Sequence, residues 1–480
     1  MLWLALHFPW LPIEALPLRQ SPSAVVVRGR VWVADAEAMA AGIVPGQKLS
    51  TALGLLPGLA TFERDTAREQ QALESLACWA GRFTPTVSLA PPNELLLEIG
   101  GCLRLFGGIQ AIVSAVAAGC AEQAYTPGWA VAPTALAARW LARQGGGALC
   151  ADLTSLHAAL AALPCSAPAW AVEVNGRLES FGVRQLGALR AMPAAGLRRR
   201  LGNGPVDDLA RAWGEIPDPQ PAFAFPERFA LNLELPSRVE QAEALLFAGQ
   251  RLFATLAGWL SARQLRVRRC TLRLTHDDGE ASDLSLGFAE PASEEGRFLR
   301  LLREHLGRLV LRAPVEAVGL LADEVTESQG HSAHLFDQAP EGEGTLACLE
   351  RLRARLGTEA VQVLLPVADH RPECASSAQD VVSAGPKTPT RPVSPASHVR
   401  PLWLLPAPLA LSEQAGRPYW HGPLRLLSRP ERLESGWWDE GEQGAAGDVR
   451  RDYFVARNPQ GQWAWIFRDA GGWFLHGLFA

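Results

Sequence analysis

The order in which strand-like and helix-like segments succeed one another limits this chain more than any other feature. Residues 2–8 alternate and end at Pro9 and Pro12, the pattern of a buried strand. Val25–Val33 reads as a strand pair that turns at Arg28-Gly29-Arg30. Ala36–Ala41 and Leu49–Leu55 suit short helices, separated by Gly42 and the Pro45-Gly46 pair. Residues 66–82 predict a helix, and Thr86–Leu89 with Glu94–Ile99 a hairpin through Pro91-Pro92-Asn93. Ile109–Ala124 predicts a helix, Trp129–Val131 a strand, and Thr134–Arg143 a helix with Thr134 as N-cap. Strands and helices in this order imply an antiparallel sheet covered by helices, an α+β layer.

Residues 153–217 switch to short helices punctuated by Gly and Pro. A second α+β unit follows, with strands at Phe229–Leu235, Arg268–Thr275, Ser282–Phe288 and Val315–Ala322 and helices at 238–263 and Glu294–Leu306. One more helix is expected at 344–356. Residues 371–400, rich in Pro, Ser and Ala, read as a linker. The Trp-rich tail, 401–480, predicts a β meander of Asp452–Arg457, Trp463–Arg468 and Trp473–Leu478. A chain of 480 residues with such punctuation is multidomain.

The net charge of -5 gives no global argument for nucleic acid, so a DNA surface has to be local. Lys48 and Lys387 are the only lysines, so arginine carries the positive charge. The eight cysteines have no CxxC spacing, which argues against a zinc site or a disulfide framework and fits reduced thiols in the cytoplasm. The apolar N-terminus lacks a basic n-region and carries two prolines, unlike a signal peptide. No run of about 20 apolar residues predicts a membrane span.

This ordering, with the words ALHFPWLPIE, PPNELLLEIG and VAPTALAARW, resembles Y-family DNA polymerases. More narrowly, it resembles the ImuB group, inactive Y-family homologues of bacterial mutagenesis cassettes. The tail words GPLRLLSRPERLESGWWD, RDYFVARN and GWFLHGLFA extend the likeness to the C-terminus. The resemblance implies a right-handed architecture. Residues 1–10 and 66–160 would be the palm, 11–65 the fingers, 161–226 the thumb and 227–328 the little finger. Residues 329–370 would hold a clamp peptide and a helix, 371–400 the linker, and 401–480 a partner-binding extension.

Polymerases of this family clamp two metal ions, about 3.5–4 Å apart, with carboxylates. The resemblance puts Ala5 and Asn93 where two of these carboxylates belong and leaves only Glu94. One carboxylate cannot hold two divalent ions in octahedral geometry. His7 falls at a further family aspartate, and Glu14 matches the acidic end of the motif. Ala36, Met39 and Ala135 stand where the family grips the triphosphate, and Trp10 at its sugar-screening aromatic. A lone His7 is more often structural than a ligand. Glu94 and Glu98 share a strand face and could hold a stray cation or form a solvated or arginine-paired edge.

Leu178, Phe181, Gly182, Val183 and Leu186 fit the family's helix-hairpin-helix, which offers backbone N–H groups to a phosphate, or a plain helical hairpin. Arg263, Arg266, Arg268, Arg269 and Arg273 form the densest basic cluster. By parity Arg266 and Arg268 share one strand face and Arg269 and Arg273 the other, so only part of the cluster can reach DNA. Ser332, His334, Leu335 and Phe336 resemble a degenerate sliding-clamp peptide. Leu252-Phe253 is less apt because it lies in a helical pattern. Trp463, Trp465 and Trp473 offer either an aromatic interaction surface or a small core.

The expectation is therefore a non-catalytic adaptor in translesion synthesis and damage-induced mutagenesis, needing no cofactor and acting at the bacterial nucleoid. Its implied partners are primed or damaged DNA, the sliding clamp, an ImuA-like RecA-related protein and a DnaE-type error-prone polymerase. The alternative is a weakly active polymerase using Glu94 and Glu98.

Overall fold

The computed structural model describes residues 1–17, 20–328, 345–357, 359–380, 400–436 and 448–479. The chain divides into two units, Met1–Gly342 and Glu343–Ala480. Strands and helices are numbered in chain order.

The first sheet of the N-terminal unit runs β5 (Val87–Ala90), β6 (Glu94–Glu98), β1 (Trp3–His7), β7 (Gly128–Ala132), β8 (Ala148–Leu149). Its central strand β1 is antiparallel to both neighbours. Leu4 and Leu6 pack with Leu95 and Leu97 against α4 (Thr66–Ala80) and α6 (Ile109–Glu122), the latter reached through α5 (Leu103–Phe106). Trp3 and Ala5 point the other way, into a core with α7 (Ala135–Ala142). That second core continues through five short helices: α8 (Leu153–Ala162), α9 (Val172–Ser180), α10 (Leu186–Arg190), α11 (Ala194–Leu201) and α12 (Asn203–Ala212). Each Leu so buried contributes roughly 1.5–3 kcal/mol. Asp65 and Asp152 accept backbone N–H groups at the starts of α4 and α8, satisfying donors that a helix start leaves unpaired.

A small sheet, β3 (Arg30–Ala34), β2 (Ser23–Val27), β4 (Ala60–Glu63), carries the short helices α1 (Leu11–Glu14), α2 (Ala36–Ala40) and α3 (Leu49–Leu55). The expected turn at Arg28-Gly29 is present, both residues having positive φ.

The remaining sheet of this unit is antiparallel, in the order β11 (Ala281–Ala292), β10 (Leu265–His276), β12 (Val315–Glu327), β9 (Ala230–Val239). It packs on α13 (Leu245–Ala262) and α14 (Glu295–Leu306), where Phe298 meets both Phe253 and Phe288. The helix expected over 238–263 begins later, at Leu245, because Val239 is still extended and pairs with Val315. α13 also lies directly on α4. A Cβ on Gly258 would fall 2.4 Å from the carbonyl oxygens of Cys78 and Trp79, so only glycine allows this approach.

In the C-terminal unit α15 (Thr345–Leu356) precedes a hairpin of β13 (Gln362–Pro366) and β14 (Ser376–Asp380). The linker expected from 371 is thus structured to Asp380, because β13 offers Ser376–Asp380 a pairing edge and Arg353 ion-pairs with Asp380. Residues 381–399 lie outside the described residues. A larger sheet runs β16 (Arg417–Tyr419), β15 (Trp403–Gln414), β21 (Gly472–Leu478), β20 (Trp463–Asp469), β19 (Val449–Arg457), β17 (Arg425–Leu426), with β18 (Glu431–Ser435) also on β19. The meander expected in the tail is its centre, β19 to β21.

An aromatic surface made of three tryptophans is not what this sheet presents. β20 is buried on both sides. Trp465 is 2% exposed and stacks on Tyr453 at 4.1 Å, and Trp473 lies in the opposite core with Ile466 and Leu475. Only Trp463 of the three is exposed, at 45%. Parity correctly put Trp463 and Trp465 on one face; it could not show that the sheet covers Trp465 with Tyr453 and Phe467.

Candidate functional site

The register of β1 against β6 pairs His7 with Glu94 and Ala5 with Leu96. The side chain of β1 that faces Glu94 is therefore an imidazole. Ala5, two residues further in, is buried in the core with Leu96 and Ala130 and offers no ligand. Asn93, at the hairpin, donates its amide N–H to the carbonyl of Phe8 (2.9 Å), and its own carbonyl accepts the Phe8 N–H (2.9 Å). These two bonds close the end of the hairpin over β1.

Glu94 is 2% exposed and tied to α7. Its Oε2 accepts from Arg139 Nε (2.7 Å) and Arg143 Nη2 (2.9 Å), and its Oε1 from Arg143 Nε (2.5 Å). The two arginines are four residues apart, one helical turn, so α7 presents both to the same place. Arg143 Nη1 also donates to the carbonyls of Pro168 (2.8 Å) and Ala167 (3.3 Å), ahead of α9. Burial works to raise the Glu94 pKa, but the hydrogen bonds and charges of Arg143 and Arg139 outweigh it and hold the carboxyl below its usual range. His7 Nδ1 lies 3.6 Å from Glu94 Oε1 without a hydrogen bond. Burial lowers the His7 pKa against the pull of Glu94, and the two arginines lower it further, which keeps the ring neutral.

Glu98 stands at the other end of β6, accepting the backbone N–H groups of Leu2 (3.0 Å) and Gly100 (3.1 Å). Four residues of strand put it about 13 Å from Glu94. Of the solvated or arginine-paired edge expected for this pair, the arginine-paired alternative holds at Glu94, whereas Glu98 is engaged by backbone N–H groups. A shared site for two metals about 3.5–4 Å apart does not fit these residues. Among the described residues, no three His, Cys, Asp or Glu side chains are grouped as a metal site.

A cleft of about 740 Å³ opens beside the hairpin, lined by His7, Asn93, Arg28, Arg30, Trp32 and Arg64 among others. The Arg64 guanidinium lies 4.6 Å from the Trp32 ring centroid and is gripped by Glu69 through two hydrogen bonds (2.8 and 2.7 Å). Sequence reasoning missed this cleft. Its signal was the Arg-Gly-Arg turn, which reads only as a turn until β4 brings Arg64 beside it. Ala36, Met39 and Ala135 do not line the cleft: Ala36 opens α2, Met39 is exposed, and Ala135 is buried at the first position of α7. Trp10 is half-buried at the start of α1. Thr134 holds the N-cap position of α7, but its hydroxyl donates to the carbonyl of Ala212 (2.9 Å); Asp218 accepts the Leu136 N–H of the first helical turn instead (2.8 Å).

At the expected helical hairpin, Gly182 has φ +70 between α9 and α10, with Leu178, Val183, Leu186 and Leu189 buried beneath it. Gly182, Arg184 and Gln185 face outward.

The arginine cluster is arranged differently from the parity expectation. β10 breaks register between Val267 and Arg269 against both neighbours. This bulge resets the alternation, so Val267, Cys270, Leu272 and Leu274 all point to the core. Arg266, Arg269 and Arg273 consequently share the outer face. The face is mixed in charge: Arg273 pairs with Asp283 (2.9 and 3.0 Å), Arg269 with Glu324 (3.4 Å), and Arg266 Nε donates to Ser328 (3.2 Å). Arg263 is set apart, donating to the carbonyl of Pro226. Leu252 and Phe253 are fully buried in α13. Ser332, His334, Leu335 and Phe336 lie outside the described residues.

A family profile described as IMS, the impB/mucB/samB family, matches residues 13–143. Protein ImuB of Caulobacter vibrioides (strain NA1000 / CB15N) is 30% identical over 465 residues, spanning 91% of this chain and 100% of that protein. The protein of the same name from strain ATCC 19089 / CIP 103742 / CB 15 matches equally. Among solved structures, a Dbh ternary complex aligns with a TM-score of 0.41 and 17% identity, covering 67% of this chain and 99% of that one. DinB from Sulfolobus solfataricus aligns at 0.39 and 16% identity, over 67% and 98%.

Proposed function

This chain belongs to the ImuB family of Y-family polymerase homologues, and on that premise we propose that it is a non-catalytic, polymerase-like adaptor in translesion DNA synthesis and damage-induced mutagenesis. The observation that carries the proposal is the state of Glu94. It is buried, held by two arginines, faced by a neutral imidazole and, among the described residues, joined by no second carboxylate. Nucleotidyl transfer by two metals has no ligand set here.

The adaptor binds primed or damaged DNA through its backbone. Gly182 and its neighbours offer the turn between α9 and α10, and Arg266, Arg269 and Arg273 on the outer face of β10 meet the phosphates, joined by Arg268 at the register break and by Arg263 at the end of α13. The salt bridges to Asp283 and Glu324 make this a moderate cationic surface that exchanges internal carboxylates for phosphates. The segment Ser332–Phe336 serves as the sliding-clamp peptide. The C-terminal unit takes an ImuA-like RecA-related protein and a DnaE-type error-prone polymerase, with Trp463 as the exposed aromatic anchor and Trp465 and Trp473 as its scaffold. Residues 1–10 and 66–160 make the palm, 11–65 the fingers, 161–226 the thumb and 227–328 the little finger. The work is done at the bacterial nucleoid.

Primer extension with purified protein tests the central claim. No extension is expected with Mg²⁺ or Mn²⁺, and extension abolished by Glu94→Ala sinks it. For the DNA surface, Arg268→Ala with Arg269→Ala is expected to weaken binding to primed DNA and flatten its log–log salt dependence by about 2. Unchanged binding removes β10 from the interface.

A further inference from the structure

Loss of carboxylates leaves one question open at this site, namely what neutralises the one that remains. An ionised carboxyl buried without partners costs several kcal/mol. Glu94 is 2% exposed, and the side chains within hydrogen-bond reach of it are guanidinium groups. We infer that Arg139 and Arg143 have taken the charge-neutralising place of divalent metal at Glu94, closing the site to metal by occupancy and turning a former ligand into a structural tie.

The inference rests on the non-catalytic reading above and deepens it. A carboxylate offers about four lone-pair sites. Three accept guanidinium N–H groups, and the fourth direction, toward His7, meets a ring nitrogen at 3.6 Å. A cation brought to Glu94 would have to displace at least one of these bonds. It would also meet two positive charges already within hydrogen-bond reach, so the group carries a surplus of one positive charge with His7 neutral. That surplus is eased by carbonyls: Arg143 Nη1 donates to Ala167 and Pro168. The same guanidinium therefore ties three pieces of chain together, the β5–β6 hairpin, α7, and the segment leading to α9. The arginines also suit the end of α7, where the helix carbonyls favour positive charge, Arg143 being its C-cap.

The prediction separates loss of ligands from gain of arginines. Supplying acids alone beside Glu94, with His7→Asp and Asn93→Asp, leaves Mn²⁺ unbound, as judged by an undiminished electron paramagnetic resonance signal of free Mn²⁺. Adding Arg139→Gln and Arg143→Gln to that variant creates a Mn²⁺ site. Binding by the first variant equal to that by the second overturns the inference, and so does no binding by a folded second variant. Melting of the full-length protein gives a readout that does not depend on the multiple variants folding. Glu94→Gln is expected to lower Tm by roughly 5–10 °C, equally in EDTA and in Mg²⁺. An unchanged Tm overturns the inference, as does a wild-type Tm that rises with Mn²⁺ only when Glu94 is present. The two readings fail separately. Primer extension by the wild type defeats the non-catalytic reading, whereas an inactive protein that binds Mn²⁺ at Glu94 defeats only the arginine tie.

Discussion

Glu94 shows how far single residues can be read. Its presence, and the apolar or amide neighbours at Ala5 and Asn93, are visible in two short words of sequence. Its partners are not, because Arg139 and Arg143 lie 45 and 49 residues away and meet it only when α7 packs across β1. Arg143→Gln leaves the carboxylate with one partner and the Ala167 and Pro168 carbonyls without their donor. It is expected to cost about 3–5 kcal/mol in denaturant unfolding, the cost of breaking a buried pair. Acid should erase the Glu94 contribution. Its pKa is held below the ordinary 4.5, so its stabilisation is complete above that pH and lost as pH falls through the folded value. The Tm gap between wild type and Glu94→Gln should be constant above pH 5 and close below 4.5. For His7, lowered from 6.5, the neutral form is the one folding favours. Its contribution is present above pH 6.5 and lost below, so His7→Gln should flatten the decline in Tm between pH 7.5 and 5.5.

Elements were more legible than contacts between them. The strands β1, β6 and β7 and the helices α4, α6 and α7 follow from alternation, helical periodicity and breakers in local sequence. Two features of β10 and α13 did not. Parity divides the β10 arginines between two faces, and a break in strand register around Arg268 puts Arg266, Arg269 and Arg273 on one. A bulge depends on the strands alongside, so alternation within β10 cannot reveal it. Gly258 reads as an ordinary weak point in a helix, yet it is the place where α13 rests on the carbonyls of α4. Gly258→Ala is expected to destabilise by about 1–3 kcal/mol through overpacking. Gly196→Ala, in α11 with open space around it, should be neutral or slightly stabilising. Equal effects in urea titrations would show that the α4–α13 contact is not tight.

At the scale of the whole molecule, an N-terminal unit of three sheets and many helices is followed by a β-rich C-terminal unit. No single helix among the described residues is long and apolar enough to cross a membrane. The C-terminal unit is organised around β20, with an apolar cluster on each face. Trp465→Ala is therefore expected to cost about 3–5 kcal/mol and Trp463→Ala less than about 0.5 kcal/mol. If Trp463 is the partner anchor, its substitution lowers affinity for the partner proteins while melting stays unchanged. Loss of binding only through unfolding, as with Trp465→Ala, would assign the tail a structural role.

The sequence by itself determined the family and the succession of α+β units, and it supplied the residues, Ala5, Asn93 and Glu94, on which the non-catalytic proposal rests, because these are written in contiguous words and local periodicity. Only the tertiary structure decided what surrounds Glu94. It put His7 rather than Ala5 opposite Glu94, brought two arginines from α7 onto that carboxylate, and buried two of three candidate tryptophans. Each depends on register or on packing between distant segments, where burial and charge balance act on whichever groups the fold brings within about 3 Å.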